Sequence, residues 1–520
     1  MDKKQGKLLR DCLVVTAFLE GVSVLVVEIA GARALAPFYG TSLKVWTSQI
    51  TATLLFLALG YGVGGLLSRR PRDANIVGVF WVAGIWLGLF PLCRGLILDS
   101  TAGAFGVSLG SFLSSSFLFG PPLLCLGAVS PLLIERLDRI RSGAGSAAGT
   151  LFFVNTLGGL VGGWLTALWL IPTMSLRLAL VGVGLVLVLI GTFWGIFLRA
   201  TRSWQLIAAI FVCVVPSLFV WKAPDEISVG GLTQERKAKV LYRQQSTVGL
   251  IQVLDYDDVR VLLLDGVTQG GIERESGLSH FGSTVFQSAL SYRFHPRART
   301  ALVLGIGAGI VVKQLEERGV AVTAIELEPR VVEVARKFFG FPESARVLEE
   351  DARTYLNRTE EKYDLVFLDA FAGESIPWYL TTVEAVGKIK KSLNPGGILV
   401  INTVTSADGH SLGIQRLESV LLEHFTEARL FIKRTPEVAL TGATIVAGDV
   451  LVAHEGEVPN AMKDRFRKDI AVLVKSERPA LGGLRPGTDD WHDLDYADSE
   501  VRSVWRRHIL NYYDSVALQD

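Results

Sequence analysis

The sequence predicts a multi-pass α-helical membrane domain, then a small β-rich domain, then an α/β Rossmann-like domain. Three observations carry this. Seven apolar runs fill about the first 220 residues, residues 238–268 alternate with a period of two, and from residue 300 strand and helix patterns alternate behind a glycine-rich turn.

Composition divides the chain in the same way. Its 520 residues exceed one ordinary domain. Residues 1–221 hold 16 Lys and Arg against 8 Asp and Glu, whereas the remainder holds 36 against 43. A basic apolar half therefore precedes a mildly acidic one. No basic tract is interleaved with aromatics, so nucleic acid is not an expected partner. Cys12, Cys93, Cys125 and Cys213 each stand alone in an apolar stretch and read as small core hydrophobes. The seven histidines all follow residue 279 without zinc-ligand spacing, and no metal is expected.

The apolar runs fall at roughly 12–35, 47–67, 75–98, 109–134, 147–171, 175–198 and 203–221. Each approaches the ~20 residues that cross a bilayer as a helix. Lys and Arg cluster at the N-terminus, at Arg69–Arg72, at Arg136–Arg141 and at Arg199–Arg202. The positive-inside rule then makes the N-terminus cytoplasmic. Seven crossings put the second half outside the cytoplasm. Six, with the short Pro216-containing run in the interface, keep it inside. Within the runs, LGGLVGG (157–163) offers two G-x-x-x-G registers, Gly158/Gly162 and Gly159/Gly163, suited to close helix packing. Glu20 and Glu28 lie at membrane depth and should face protein, water or a cation, either in a polar path or in a buried pair with Arg33.

In the second half, residues 238–268 read as a hairpin turning at DYDD (255–258). TALVLG is a buried strand and Ile310–Glu317 begins a helix. VAVTAIEL, DLVFLDAF and GGILVINTV are further strands, and PRVVEVARKFF is a helix. This alternation predicts a parallel sheet with helices on both faces and a ligand at the carboxyl ends of its strands. Residues 456–520 turn polar and read as an extension packed on that domain. The expected domains are 1–222, 226–290, 291–455 and 456–520.

ALVLGIGAGIV (301–311) supplies the turn at the end of the first strand of that sheet. Gly305, Gly307 and Gly309 let a backbone turn sharply against a ligand. The dinucleotide fingerprint wants a further glycine at position 310, which is Ile, so a nicotinamide dinucleotide is disfavoured. Glu326, 21 residues after Gly305, ends the second strand, where a carboxylate can accept both ribose hydroxyls. Asp351 follows a third strand and can accept from an adenine amine. Asp369 ends the fourth, where one carboxylate can bind a cationic amine, orient it and take its proton; a helix cap or loop anchor is the plainer alternative. Glu374 can add a second negative charge there.

These residues resemble the spermidine synthase family over roughly 240–450, through LLLDGVTQ (262–269), LVLGIGAG, IELE (325–328), Asp351 and Asp369. EIAGARALAPFYGTSLKVWTS (28–48), VNTLGGLVGGWLTALWLIP (154–172), DAFAGESIPWYLTT (369–382) and TDDW (488–491) resemble the bacterial branch with fused membrane spans. The resemblance implies that the α/β domain is of the class I methyltransferase type. It further implies decarboxylated S-adenosylmethionine as donor, a putrescine-like diamine as acceptor and methylthioadenosine as by-product. On this basis Gln269, Gly305, Gly307, Gly309, Glu326, Asp351 and Ala352 bind the donor, and Asp369 with Glu374 is catalytic.

Two positions depart from the family. Ala308 stands where it carries an aspartate for the donor's amine, and Ala372 where a D-x-x-D pair has its second acid. Three functions stay open: aminopropyl transfer, methyl transfer from intact S-adenosylmethionine, and a transporter or sensor that binds a nucleoside or polyamine without turnover. The expected partners are the lipid bilayer, a small-molecule amine or polyamine, and a second copy of the chain in a homodimer.

Overall fold

The computed structural model describes residues 3–69, 72–141, 143–200, 226–229, 236–371, 373, 375–432, 440–454, 477–494, 504 and 506. They separate into two compact units, one with the long helices and one with both sheets.

The helical unit holds α1 (Lys3–Tyr39), α2 (Leu43–Ser68), α3 (Asp73–Ala104), α4 (Val107–Arg141), α5 (Ala144–Leu165) and α6 (Leu176–Phe197). These answer to the first six apolar runs; the seventh, 203–221, lies outside the described residues. Beyond Leu165, α5 continues through a π-helical stretch, Thr166–Leu170, and a last turn at Ile171–Thr173. Pro172 there lacks the N–H that a regular ladder requires. Among the described residues six helices are long and apolar enough to cross a membrane. Even the 22 residues of α6 span about 33 Å.

Large apolar side chains cover the outside as well as fill the inside, and several polar groups are buried among them. Leu54, Leu96, Phe153, Trp164 and Leu168 are exposed, whereas Glu20, Gln49, Thr53, Ser111 and Ser115 are buried. Buried polar groups require partners. The Ser130 hydroxyl lies 3.1 and 3.2 Å from the two Glu20 oxygens, and Ser115 donates to Gln49 Oε1 at 2.6 Å.

Glycines bring the helices together. A Cβ on Gly158 would lie 2.1 Å from the Phe18 carbonyl oxygen, and one on Gly162 2.5 Å from that of Val22, so this register is the α1–α5 contact. Gly163, in the other register, would meet only Ile29, at 3.9 Å. Gly60 and Gly64 make the same approach between α2 and α4, and Gly84 and Gly184 between α3 and α6. The pairing of Arg33 with Glu20 or Glu28 considered from the sequence does not form among the described residues. Helical geometry explains this: five residues separate Glu28 and Arg33 by about 140° around the axis, and thirteen separate Glu20 and Arg33 by about 20 Å along it.

In the other unit, β1 (Glu226–Val229), β2 (Arg236–Gln245), β3 (Leu250–Tyr256), β4 (Val259–Leu264) and β5 (Val267–Glu273) form one sheet in sequential order. The DYDD turn lies where the sequence predicts it, with Tyr256 opposite Val259. Asp265 and Gly266, with φ of +48° and +77°, close β4 onto β5 as a two-residue turn.

The second sheet comprises β6 (Thr300–Leu304), β7 (Ala321–Glu326), β8 (Arg346–Glu349), β9 (Tyr363–Leu368), β10 (Leu393–Ser406), β11 (Glu427–Ile432), β12 (Leu440–Gly448) and β13 (Arg478–Pro479). Its order is β13-β11-β12-β10-β9-β6-β7-β8. The helices are α7 (Gly282–Phe294), α8 (Ile310–Glu316), α9 (Pro329–Phe339), α10 (Ala352–Arg358), α11 (Val383–Lys391) and α12 (Leu412–Leu422). Strands β10, β9, β6, β7 and β8 are parallel. Residues 301–304 of β6 and 365–368 of β9 are buried throughout, as strands covered on both faces must be. Only the five-stranded core obeys the parallel expectation. β12 runs antiparallel to β10, and β11 to β12, since adjacent antiparallel strands need no helical crossover. From β6 the chain proceeds to β7 and β8 on one side, then to β9 and β10 on the other. The strand order therefore reverses between β6 and β9, where α/β sheets open a ligand crevice.

Candidate functional site

The glycine loop leaves β6 at that reversal. The Gly305 N–H donates to the Ile325 carbonyl at 2.8 Å, and φ values of +87°, +49° and +76° at Gly305, Gly307 and Gly309 carry the chain into α8. A Cβ on Gly305 would lie 2.6 Å from the Asp369 carbonyl oxygen and 2.7 Å from Ala370 Cα. Glycine is thus required by conformation and by the close approach to the end of β9. Gly309 faces the Phe341 ring at a distance that excludes any side chain. On the other side Gln269 in β5 abuts Gly307 through its carbonyl, and its amide Nε2 donates to the Val267 carbonyl at 3.4 Å.

Glu326 ends β7 half-buried. Oε2 accepts from Ile306 N–H at 3.1 Å and Oε1 from Glu328 N–H at 3.0 Å, so the carboxylate braces the glycine loop. Burial raises its pKa, while backbone bonds from Glu328, Ile306 and Leu327 pull it down. Each carboxylate oxygen can accept more than one hydrogen bond, so the group can still accept from a ribose hydroxyl.

Asp351 caps α10, its Oδ1 accepting from the Thr354 N–H at 2.8 Å and hydroxyl at 3.1 Å. The Tyr379 phenol lies by the same carboxylate, and its pKa is raised by burial and by that charge. Ala352 opens α10 with its methyl in the core, so only its backbone can meet a ligand. The TDDW segment closes over this helix: Asp489 accepts from Arg353 at 2.5 Å and from Thr382 at 2.6 Å, and His492 stacks on Trp378 at 3.8 Å.

Asp369 follows β9, its N–H bonded to the Leu304 carbonyl at 2.9 Å. Two amide side chains flank its carboxylate. Asn402 Nδ2 in β10 donates to Oδ1 at 2.7 Å, and Gln287 in α7 approaches the same group closely enough to lower its pKa. Asp369 is half-buried by its surface, yet enough protein surrounds the carboxyl that burial pushes its pKa up to about 6 against the pull of those two amides. The structure therefore brings Gly305, Glu326 and Asp369 together at one strand-end crevice, joined by hydrogen bonds and close contacts. Glu374 lies outside the described residues, as does Ala372.

Ala308 is buried, and its methyl lies 2.8 Å from where a Cβ on Gly270 would be. Its side chain thus packs against β5.

Asn402, Gln287 and Tyr379 are the site residues that sequence reading missed. Asn402 carried a signal, as the polar residue at the carboxyl end of the apolar run GGILVI. Gln287 carried none, because contact with Asp369 across 82 positions of sequence is a product of the fold.

Comparison with known proteins finds similarity in sequence and structure. A methyltransferase-domain family matches residues 302–401. A probable polyamine aminopropyl transferase of Bifidobacterium longum is 27% identical over 180 residues, which are 33% of this chain and 39% of that protein. Polyamine aminopropyltransferase 1 of Streptomyces coelicolor is 26% identical over 421 residues, 76% of each chain. A probable spermidine synthase from Corynebacterium glutamicum matches in structure with a TM-score of 0.39 and 16% identity, covering 48% of this chain and 96% of that one. The chain is thus similar to polyamine aminopropyltransferases, over 76% of the length of one of them, and carries a match to a methyltransferase domain behind its helices.

Proposed function

We propose that the protein is a membrane-anchored aminopropyltransferase of the spermidine synthase kind. It would transfer an aminopropyl group from decarboxylated S-adenosylmethionine to a putrescine-like amine and release methylthioadenosine. The observation that carries this reading is Asp369, a carboxylate with its pKa near 6, flanked by two amides beside a glycine loop that only a backbone can line.

The donor's ribose would bond Glu326, its adenine would lie by Asp351 and the Ala352 backbone, and Gly305, Gly307, Gly309 and Gln269 would border its chain. An ammonium binds ionised Asp369 and is deprotonated there. The amine nitrogen then attacks the donor carbon next to sulfur. A C–N bond forms, the C–S bond breaks, and its electron pair neutralises the sulfonium as a thioether. Asp369 carries the displaced proton, and Glu374 would add charge for the acceptor.

The domain division proposed is 1–222, 226–290, 291–455 and 456–520, with the bilayer around the first. Support for the bilayer comes from six long helices that expose leucines and bury Glu20 and Gln49. Six crossings return the chain to the side of its basic N-terminus, the cytoplasm by the positive-inside rule. Protease accessibility of the C-terminus in spheroplasts tests this side; cleavage from outside would reverse it.

Methyl transfer from intact S-adenosylmethionine is the second reading. It is favoured by Ala308, which leaves no acid there to repel the donor's carboxylate. Calorimetry with S-adenosylmethionine, its decarboxylated form and methylthioadenosine separates the two. Preference for the intact donor would replace the aminopropyl reading, and binding of none would remove both.

A further inference from the structure

The chain that follows Asp369 returns to the first turn of α10. There the Tyr379 carbonyl accepts from Arg353 Nη1 at 2.9 Å. Arg353 lies one residue beyond Ala352 and two beyond Asp351. The stretch 375–382 thus connects the acid at the end of β9 with the acid that opens α10. A short 3₁₀ turn, Trp378–Leu380, shapes it, and three residues of turn do not by themselves fix where it lies.

Arg353 is a long side chain whose guanidinium is placed by a residue 136 positions away. Asp489 accepts from Arg353 Nη2 at 2.5 Å through Oδ2 and from the Thr382 hydroxyl at 2.6 Å through Oδ1. Thr382 gives its only hydrogen to Asp489, so its oxygen is turned to accept from Arg353 and from the Ala385 N–H, each at 3.2 Å. The Asp489 N–H donates to Glu384 at 2.9 Å, and the Gly487 carbonyl accepts from the Val383 N–H at 2.9 Å. Val383 opens α11, where that N–H has no partner within its own helix. One carboxylate therefore ties α10, α11 and the loop before α11 together. Three residues on, His492 stacks on Trp378 at 3.8 Å, and Asp493 anchors the segment to Arg416 in α12 at 2.6 Å.

We infer that residues 487–492 are a clasp for the nucleoside end of the crevice, with Asp489 as a positioning residue that sets donor affinity through Arg353. This rests on the proposed placing of adenine by Asp351 and Ala352 and deepens it. An ion pair open to solvent adds little to global stability, and the Asp489 side chain is 45% exposed. The effect of losing it is local. Arg353 regains the rotamer freedom of a long side chain, the Tyr379 carbonyl loses a fixed donor, and the loop leaves the first turn of α10. Asp369 is held by Asn402 from β10, so the acceptor's end is spared.

The test uses full-length protein in detergent. Its read-outs are calorimetric binding of methylthioadenosine, thermal melting, and turnover with decarboxylated S-adenosylmethionine and putrescine. Asp489→Ala should weaken methylthioadenosine by about tenfold, the scale of one charge-assisted hydrogen bond. Donor KM should rise by a similar factor, kcat should fall by less, and KM for putrescine should hold. Asp489→Glu should recover most of the affinity and Asp489→Asn should not, since the pair supplies charge to Arg353. An Asp489→Ala protein that melts lower but binds methylthioadenosine as wild type does overturns the inference and leaves the segment a staple of the fold. Equal losses in kcat and in both KM values overturn it too. Should Asp489→Ala show no cooperative melt, Asp489→Asn decides, because it keeps the shape. Weakened binding then supports the inference and unchanged binding sinks it. Wild type that binds no methylthioadenosine removes the nucleoside reading and the clasp with it. Wild type that binds it without transfer removes only the aminopropyl reading, and affinity then judges the clasp.

Discussion

Replacing Asp369 by Asn separates the functional charge from its structural cost. In the fold its pKa rises from 3.8 to about 6, and two units correspond to about 3 kcal/mol. The folded state binds this proton more tightly than the unfolded chain. The cost of the charged form is therefore fully present above about pH 6 and fades as pH falls through 6 toward 4. Asn has the same shape without the charge, but its amide must turn its oxygen toward one donor and leaves the other without a strong acceptor. That loss is about 1 kcal/mol, and partial exposure of Asp369 screens part of the gain, so roughly 1–2 kcal/mol of added stability remains at pH 8. At pH 4.5 the variant should match wild type or fall slightly below it. Urea unfolding of the detergent-solubilised protein at the two pH values measures this. Turnover should drop by about 10²–10⁴, as for loss of a positioned base. Wild-type kcat/KM should fall about tenfold per unit below pH 6. The reasoning is refuted if Asp369→Asn is destabilised equally at both pH values, or if the acid limb of the wild type breaks near pH 4.

Other outcomes follow from particular contacts. Asn402→Ala removes a 2.7 Å bond to the charged form of Asp369, so the acid limb should move up by about one unit; an unmoved limb would exclude Asn402 from the site. Gly305→Ala forces a side chain to φ +87° and within 2.6 Å of the Asp369 carbonyl oxygen, and should cost at least about 1–3 kcal/mol and abolish methylthioadenosine binding by calorimetry. Gly158→Ile should part α1 from α5 and lower detergent-phase thermal stability, whereas Gly163→Ile should be tolerated; equal sensitivity would refute the assigned register.

What was legible in the sequence is what depends on the residue itself or its near neighbours. Apolar length marks the six helices, because a helix closes its own hydrogen bonds. Buried runs mark β6 and β9, and the glycines and strand-end acids mark the crevice, because local conformation demands those residue types. The Gly158/Gly162 spacing named helix packing, but its partner, α1, is set by which ridge fits which groove. Antiparallel β11 and β12 were not foreseen, since apolar alternation does not encode strand direction. Likewise Asp351 reads as an adenine contact from its position but proves to cap a helix, a role that does not exclude the other. The pairing of Arg33 with an acid failed on helical phase. Asp369 is visible as an acid after a strand. Its elevated pKa, and the amides of Asn402 and Gln287 that flank it, were decided only when strand, neighbouring strand and helix closed around it. Desolvation and hydrogen-bond geometry depend on atoms that only the tertiary structure brings within reach.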